Sequence, residues 1–204
     1  MPVYLWLPAI ALAVSAAAAA LLFVVRPKTE VEWSEVLEAV GECDTMHGRG
    51  RVCLRDGTEW DYALWARIEG PGRSVTRGMV RPANERAAAR DDAPEELAPL
   101  CNAMDVCGEN GIVARLAAVG RVDAARRTEW GGKPILVAEV NTQQALGVRG
   151  EVEPDWRRLF VDRHTKRVVG LELFTAAGEG RLLRGTCEYG YDLPLPPGFE
   201  EAPG

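Results

Sequence analysis

From Thr58 to Ile68 apolar and polar positions alternate. Trp60, Tyr62, Leu64, Ala66 and Ile68 fall on one side, and Glu59, Asp61, Ala63, Trp65 and Arg67 on the other. Period two over this length predicts an antiparallel strand with one apolar face. The stretch before it, Thr45–Leu54, also alternates, with Met46, Gly48, Gly50, Val52 and Leu54 on one side. Thr45, His47, Arg49, Arg51 and Cys53 take the other. Glycine inside a strand marks a bend or a close approach by a neighbour. Asp56-Gly57 predicts a hairpin turn between the two strands. "EGPGR" at 69–73 predicts the next turn, and "SVTRGMV" a further strand.

Periodicity changes on either side of this meander. Trp33, Val36, Leu37 and Val40 recur at helical spacing and predict an amphipathic helix over 32–40, ended by Gly41. Thr29-x-x-Glu32 has capping-box spacing ahead of it. Residues 81–120 carry no alternation; they are Ala-rich and punctuated by Pro82, Pro94 and Pro99. This predicts a loop, a short helix near 94–104 and a helix near 109–119, inserted into a sheet. Strands then resume. Two are predicted about Gly131-Gly132, the second being Pro134–Val140. Three more are predicted in 155–192, joined at "DRHTKR" and "AAGEG". The "PLPPGFEEAPG" end predicts no regular structure. The sum is α+β: about eight antiparallel strands in a large, curved, open sheet with helices on one side.

Residues 1–25 are of another kind. Met1–Val25 contains no charged side chain, and Arg26-Pro27-Lys28 closes it. About 23 apolar residues in a helix span roughly 34 Å, enough to cross a bilayer. A cleavable signal peptide would carry a basic start and a shorter apolar stretch, so an uncleaved transmembrane helix is expected. The chain thus divides into an anchor over 1–25, a linker over 26–30, a domain over 31–199 and a tail over 200–204. Arg26 and Lys28 follow the anchor, which by charge bias alone places the domain on the cytoplasmic side.

The net charge of −6 lies wholly after the apolar segment. Basic and acidic residues are interspersed there, without a Lys/Arg cluster among aromatics, which excludes a nucleic-acid binder. There is no G-x-S-x-G, P-loop, H-E-x-x-H or Gly-rich dinucleotide fingerprint, so neither an enzyme nor a cofactor is expected. The two histidines, His47 and His164, are isolated, and none of the five cysteines forms a C-x-x-C pair. No metal site is expected from such spacing. In an oxidising compartment Cys101 and Cys107, and Cys43 and Cys53, are candidates for local disulfides, with Cys187 left over.

Three stretches carry a resemblance: "ALWARIEGPGR", "WGGKPILVAEV" and "LFVDRHTKRVVGLELFTAAGEGRLL". Together with the order of elements they resemble the lipoprotein-localisation (LolA-like) superfamily of bacterial cell envelopes. Glu69-Gly70 lengthens the first motif, and Arg163 and Lys166-Arg167 stand where prolines are common in the third. The resemblance implies an open half-barrel sheet whose concave apolar side is lidded by helices. It implies a periplasmic domain at the bacterial inner membrane, against the charge bias, and a partner that is a lipid or a lipid-modified protein. Other members of the fold imply instead an envelope-stress or anti-sigma-type protein partner.

The candidate binding residues are the apolar sides of the strands: Met46, Val52, Leu54, Trp60, Tyr62, Leu64, Ile68, Leu136, Val140, Leu159, Val161, Leu171, Leu173, Leu183 and Tyr189. A sheet must cover such a face with something. Either the helices over 32–40 and 94–119 close it as a core, or they leave a groove for acyl chains, with Gly48, Gly50 and Gly185 shaping the hollow. Trp65 sits on the polar side, either against the stems of Arg49 or Arg51 or in a partner-binding surface.

Overall fold

In a computed structural model the described residues are 29–84, 88, 94–146 and 155–199. Residues 1–25, with the anchor expected there, the linker up to 28 and the tail over 200–204 lie outside them. Among the described residues no helix is long and apolar enough to cross a membrane.

The elements run β1 (Thr29–Glu32), α1 (Trp33–Gly41), β2 (Thr45–Cys53), β3 (Glu59–Gly70), β4 (Arg73–Pro82), α2 (Leu97–Asn102), α3 (Ile112–Ala118), β5 (Val122–Trp130), β6 (Lys133–Asn141), α4 (Thr142–Leu146), β7 (Trp156–Asp162), β8 (Val168–Ala177) and β9 (Gly180–Tyr191). The strands form one nine-stranded sheet in the order β1-β5-β6-β7-β8-β9-β2-β3-β4. Each neighbouring pair is antiparallel. The sheet is open, with β1 and β4 at its edges.

Register makes the apolar faces coincide. Gly48 lies opposite Leu64 and Val52 opposite Trp60, so the two alternating stretches turn the same side inward. On that side α1, α2 and α3 close over the sheet. Trp33, Val36 and Val40 of α1, Leu97 and Leu100 of α2, and Ile112, Val113 and Leu116 of α3 join the strand residues in one core. The opposite face carries a small cluster of Ile135, Val137 and Phe160 with Trp130 packed on it, and the segment after β9 crosses part of it, with Phe199 buried beside Arg77.

The start of the domain differs from the expectation. Thr29–Glu32 is a strand, and α1 begins after it with no side-chain cap. Pairing with β5 gives these backbone groups partners that a capping box would otherwise supply, and Val31 is buried opposite Asp123. The Trp33 indole N–H donates to Asp123 Oδ2 at 2.7 Å, which fixes the strand-to-helix corner. This strand raises the expected eight to nine. The short α4 was also not predicted.

Candidate functional site

Met46, Val52, Leu54, Trp60, Tyr62, Leu64, Ile68, Leu136, Val140, Leu159, Val161, Leu171, Leu173 and Tyr189 are all brought together, and all are buried in the one core. Leu183 is the exception, 42% exposed. Between β8 and β9, Leu173 pairs with Gly185 but Phe174 pairs with Leu183, so Arg184 is an extra residue in the ladder. That bulge sends Leu183 outward and makes Arg184 the buried side chain.

The inner-face glycines decide whether this face is hollow. A Cβ on Gly185 would collide with the Met104 methyl, which comes from the turn after α2. A Cβ on Gly48 would stand 3.1 Å from Cys187 Sγ and 3.2 Å from the Tyr189 ring. At Gly50 it would meet the Thr186 carbonyl. Each gap is filled by a neighbour. Tyr189 in turn donates its hydroxyl to the Met104 carbonyl at 2.5 Å, joining the lid to the floor. Burial raises the Tyr189 hydroxyl pKa well above its ordinary value, so it stays a donor.

Arg184 holds the rim. Its Nε donates to the Cys53 carbonyl at 2.8 Å and its Nη2 to Glu96 at 3.1 Å. Glu96 also accepts the Arg55 amide at 3.2 Å, so one carboxylate ties the entry of α2 to the β2–β3 hairpin and to β9. Sequence periodicity misses this residue because the bulge reverses its parity.

Two clefts among the described residues border the lid and the open face, both lined by charged side chains together with apolar ones. One of about 500 Å³ lies beside the lid, lined by Asn102, Asp105, Asn110, Arg115 and Arg157 among others. Another, of about 440 Å³, lies on the open face of the sheet and is lined by Arg49, Asp61, Ala63, Trp65, Met79 and Arg81.

The disulfide expectation is corrected: Cys43, Cys53, Cys101, Cys107 and Cys187 are all free. Cys43 precedes β2 and Cys53 ends it, and a strand of that length separates its ends by roughly 27 Å, far beyond the ~7 Å a disulfide tolerates. The Cys107 thiol instead donates to Ser74 Oγ at 3.4 Å. Burial pushes Cys43 and Cys101 up to about 11 and Cys107 and Cys187 up to about 12. Thiols held protonated in this way are poor nucleophiles and poor metal ligands.

Trp65 is half-buried and stacks on His47, with centroids 5.3 Å apart and planes at 15°. Arg49 Nε donates to His47 Nε2 at 3.4 Å. Partial burial and then the Arg49 charge lower the His47 pKa below its ordinary value. His164 lies in the β7–β8 turn, where its amide and that of Thr165 donate to Asp162 Oδ1 at 2.8 and 3.0 Å. Burial opposes ionisation of Asp162, yet those amides hold its carboxyl below the usual aspartate range. Among the described residues no group of three or more His, Cys, Asp or Glu side chains is placed to hold a metal ion.

No family model matches the chain, and no curated protein matches it. Solved structures of similar fold do exist. The Pseudomonas aeruginosa MucA/MucB complex contains a chain 16% identical, with a TM-score of 0.41, over 84% of this chain and 60% of that one. A crystal structure of MucB is 13% identical, with a TM-score of 0.44, over 84% of this chain and 62% of that one. A LolA superfamily protein from Nitrosomonas europaea is 10% identical, with a TM-score of 0.32, over 80% of this chain and 93% of that one. The present chain thus spans about three-fifths of the length of the MucB chains it matches. One of the structures this chain is similar to thus carries the name of the superfamily that the sequence resembles.

Proposed function

We propose that this chain is an extracytoplasmic, non-catalytic binding domain of LolA-like fold whose partner is a protein, engaged from the surface. The observation that carries this reading is the filled covered face. Met104 occupies the space beside Gly185, Tyr189 the space beside Gly48, and the apolar residues beneath the helices are buried together. A side chain already buried by its own lid gains nothing from a ligand unless the lid leaves. Regulatory interaction of the envelope-stress or anti-sigma type fits a closed domain of this kind. MucB, one of the similar structures, is recorded with MucA, and the same class of role is our proposal here. The apolar run over 1–25 would tether the domain to the inner membrane.

A second reading has its own observation. Met104 is a flexible side chain on a turn, and it stands over a glycine floor; its withdrawal would leave an apolar hollow where an acyl chain could lie. Native mass spectrometry of residues 29–204, purified from an oxidising compartment before and after organic extraction, separates the two. A single apo mass supports the protein-partner reading. A lipid-sized mass removed by extraction supports the second reading and overturns the first.

A further inference from the structure

The open face of the sheet carries an ordered row across four strands. Gly190 of β9 pairs with His47 of β2, His47 with Trp65 of β3, and Trp65 with Arg77 of β4. Directly paired residues project to the same face, so these four form one line perpendicular to the strands. The chain leaving β9 returns along this line. Its root is fixed at Asp192, whose carboxylate accepts the Asp44 amide at 3.0 Å and pairs with Arg167 at 3.1 Å. The Thr45 hydroxyl donates to the Leu193 carbonyl at 2.6 Å. Leu193 lies against Gly190, where a Cβ would stand 2.9 Å from its Cδ1. At the other end of the line the Arg77 guanidinium lies over the Phe199 ring, 5.3 Å from its centroid.

The way this segment is held is unusual for a structural strap. Residues 193–198 are exposed or half-exposed, without helix or strand, while Phe199 is 5% exposed. One buried aromatic side chain and the root at Asp192–Leu193 therefore hold a Pro-rich segment that is otherwise exposed or half-exposed. The next row of the sheet, Glu188–Arg49–Ala63–Met79, stays uncovered. Its Arg49, Ala63 and Met79 line the cleft of about 440 Å³ that Arg81 also borders. Met79 is 52% exposed there. In sequence Phe199 is followed by Glu200-Glu201; Arg77 lies over its ring, Arg49 stands in the next row opposite Glu188, and Arg81 borders the cleft paired with Asp61. Aromatic insertion beside arginines, with acidic residues following, is a complementary pair.

We infer that this row is a recognition site for an extended protein segment bearing an aromatic residue followed by acidic side chains, and that Leu193–Phe199 occupies it in cis. A partner segment of that chemistry gains access by displacing Phe199, because the remainder of the tail buries little. This names the surface that the partner-binding reading requires and rests on that reading for its biological use. The site itself is tested without it.

The probe is a fluorescent synthetic peptide with the sequence of residues 193–204, titrated by anisotropy into the full chain. The expected result is saturable binding to Phe199→Ala at least tenfold tighter than to the unaltered chain. The same peptide with alanine in place of its phenylalanine does not bind, and Arg77→Ala added to Phe199→Ala abolishes binding while circular dichroism stays unchanged. Should Phe199→Ala fail to fold, the titration is read on Asp192→Ala, which loosens the root of the tail. Equal binding to altered and unaltered chains, or none by a folded variant, overturns the inference. So does a tail-exchanged dimer of the unaltered chain, whose occupant would be a second copy. Failure here leaves the filled covered face, and the extraction experiment that tests it, untouched.

Discussion

The Met104 methyl occupies the space that a Cβ on Gly185 would need. Lid and floor are thus matched at a single pair, and either change to that pair reports on the closure. Gly185→Ala forces overpacking and is expected to cost about 1–3 kcal/mol. Met104→Ala removes a fully buried side chain and leaves a cavity, an expected cost of about 2–5 kcal/mol. Urea unfolding of both variants measures these. The second variant also tests the lipid reading, since an emptied hollow should take up a fatty acid or an apolar dye that the unaltered chain refuses.

Tyr189→Phe keeps the ring beside Gly48 and removes only the hydroxyl that reaches the Met104 carbonyl. That carbonyl then lies buried without this donor, at a cost of about 1–3 kcal/mol. Hydrogen exchange should show the loss as faster opening around Met104, with the strand amides of β2 and β3 unchanged. Uniform acceleration would mean that the bond stabilises the whole domain and not the lid.

The strands and their inward faces were legible in the sequence, the closure over them was not, and the exceptions have physical causes. Alternation in Thr45–Leu54 and Thr58–Ile68 places every inward side chain of β2 and β3 correctly, because one face of an antiparallel pair must be apolar. The glycines marked close approaches, but sequence does not say whether the approaching group is a ligand or Met104. Thr29-x-x-Glu32 spells a helix cap, yet pairing with β5 comes from 90 residues away and overrides it. Leu183 was misplaced because a bulge changes parity without leaving a local mark. The disulfide pairs were read from short spacing, and Cys43 and Cys53 show why that fails: a strand carries near neighbours in sequence far apart in space.

Arg184 and Glu96 differ in burial, 2% against 29% of their side chains exposed, so their removal should not be symmetric. Glu96→Ala leaves a guanidinium in the interior with only the Cys53 carbonyl among these two acceptors, and an expected cost of about 3–5 kcal/mol. Arg184→Met leaves a carboxylate that reaches water and still accepts the Arg55 amide. Its cost should be smaller, about 1–2 kcal/mol. Thermal unfolding of the two variants ranks them; a larger loss for Arg184→Met would show that the arginine acts chiefly by filling space.

His47 gives the domain a pH dependence above the carboxylate range. Burial, then Arg49, lowers its pKa in the folded chain, whereas the unfolded chain titrates near the ordinary 6.5. Between that value and the lower folded one, the unfolded chain binds the extra proton and the folded chain does not. Stability is therefore fully present above about pH 6.5 and falls as pH drops through the window. Glu139 and Asp162, whose pKa values are also lowered, act in the same sense, but only below the ordinary carboxylate values of 4.5 and 3.8. His47→Gln keeps a polar group beside Trp65 and cannot titrate. Unfolding free energies measured from pH 7.5 to 5 should slope for the unaltered chain and lie flatter for the variant. Parallel slopes would assign the dependence to another group and remove His47 from it.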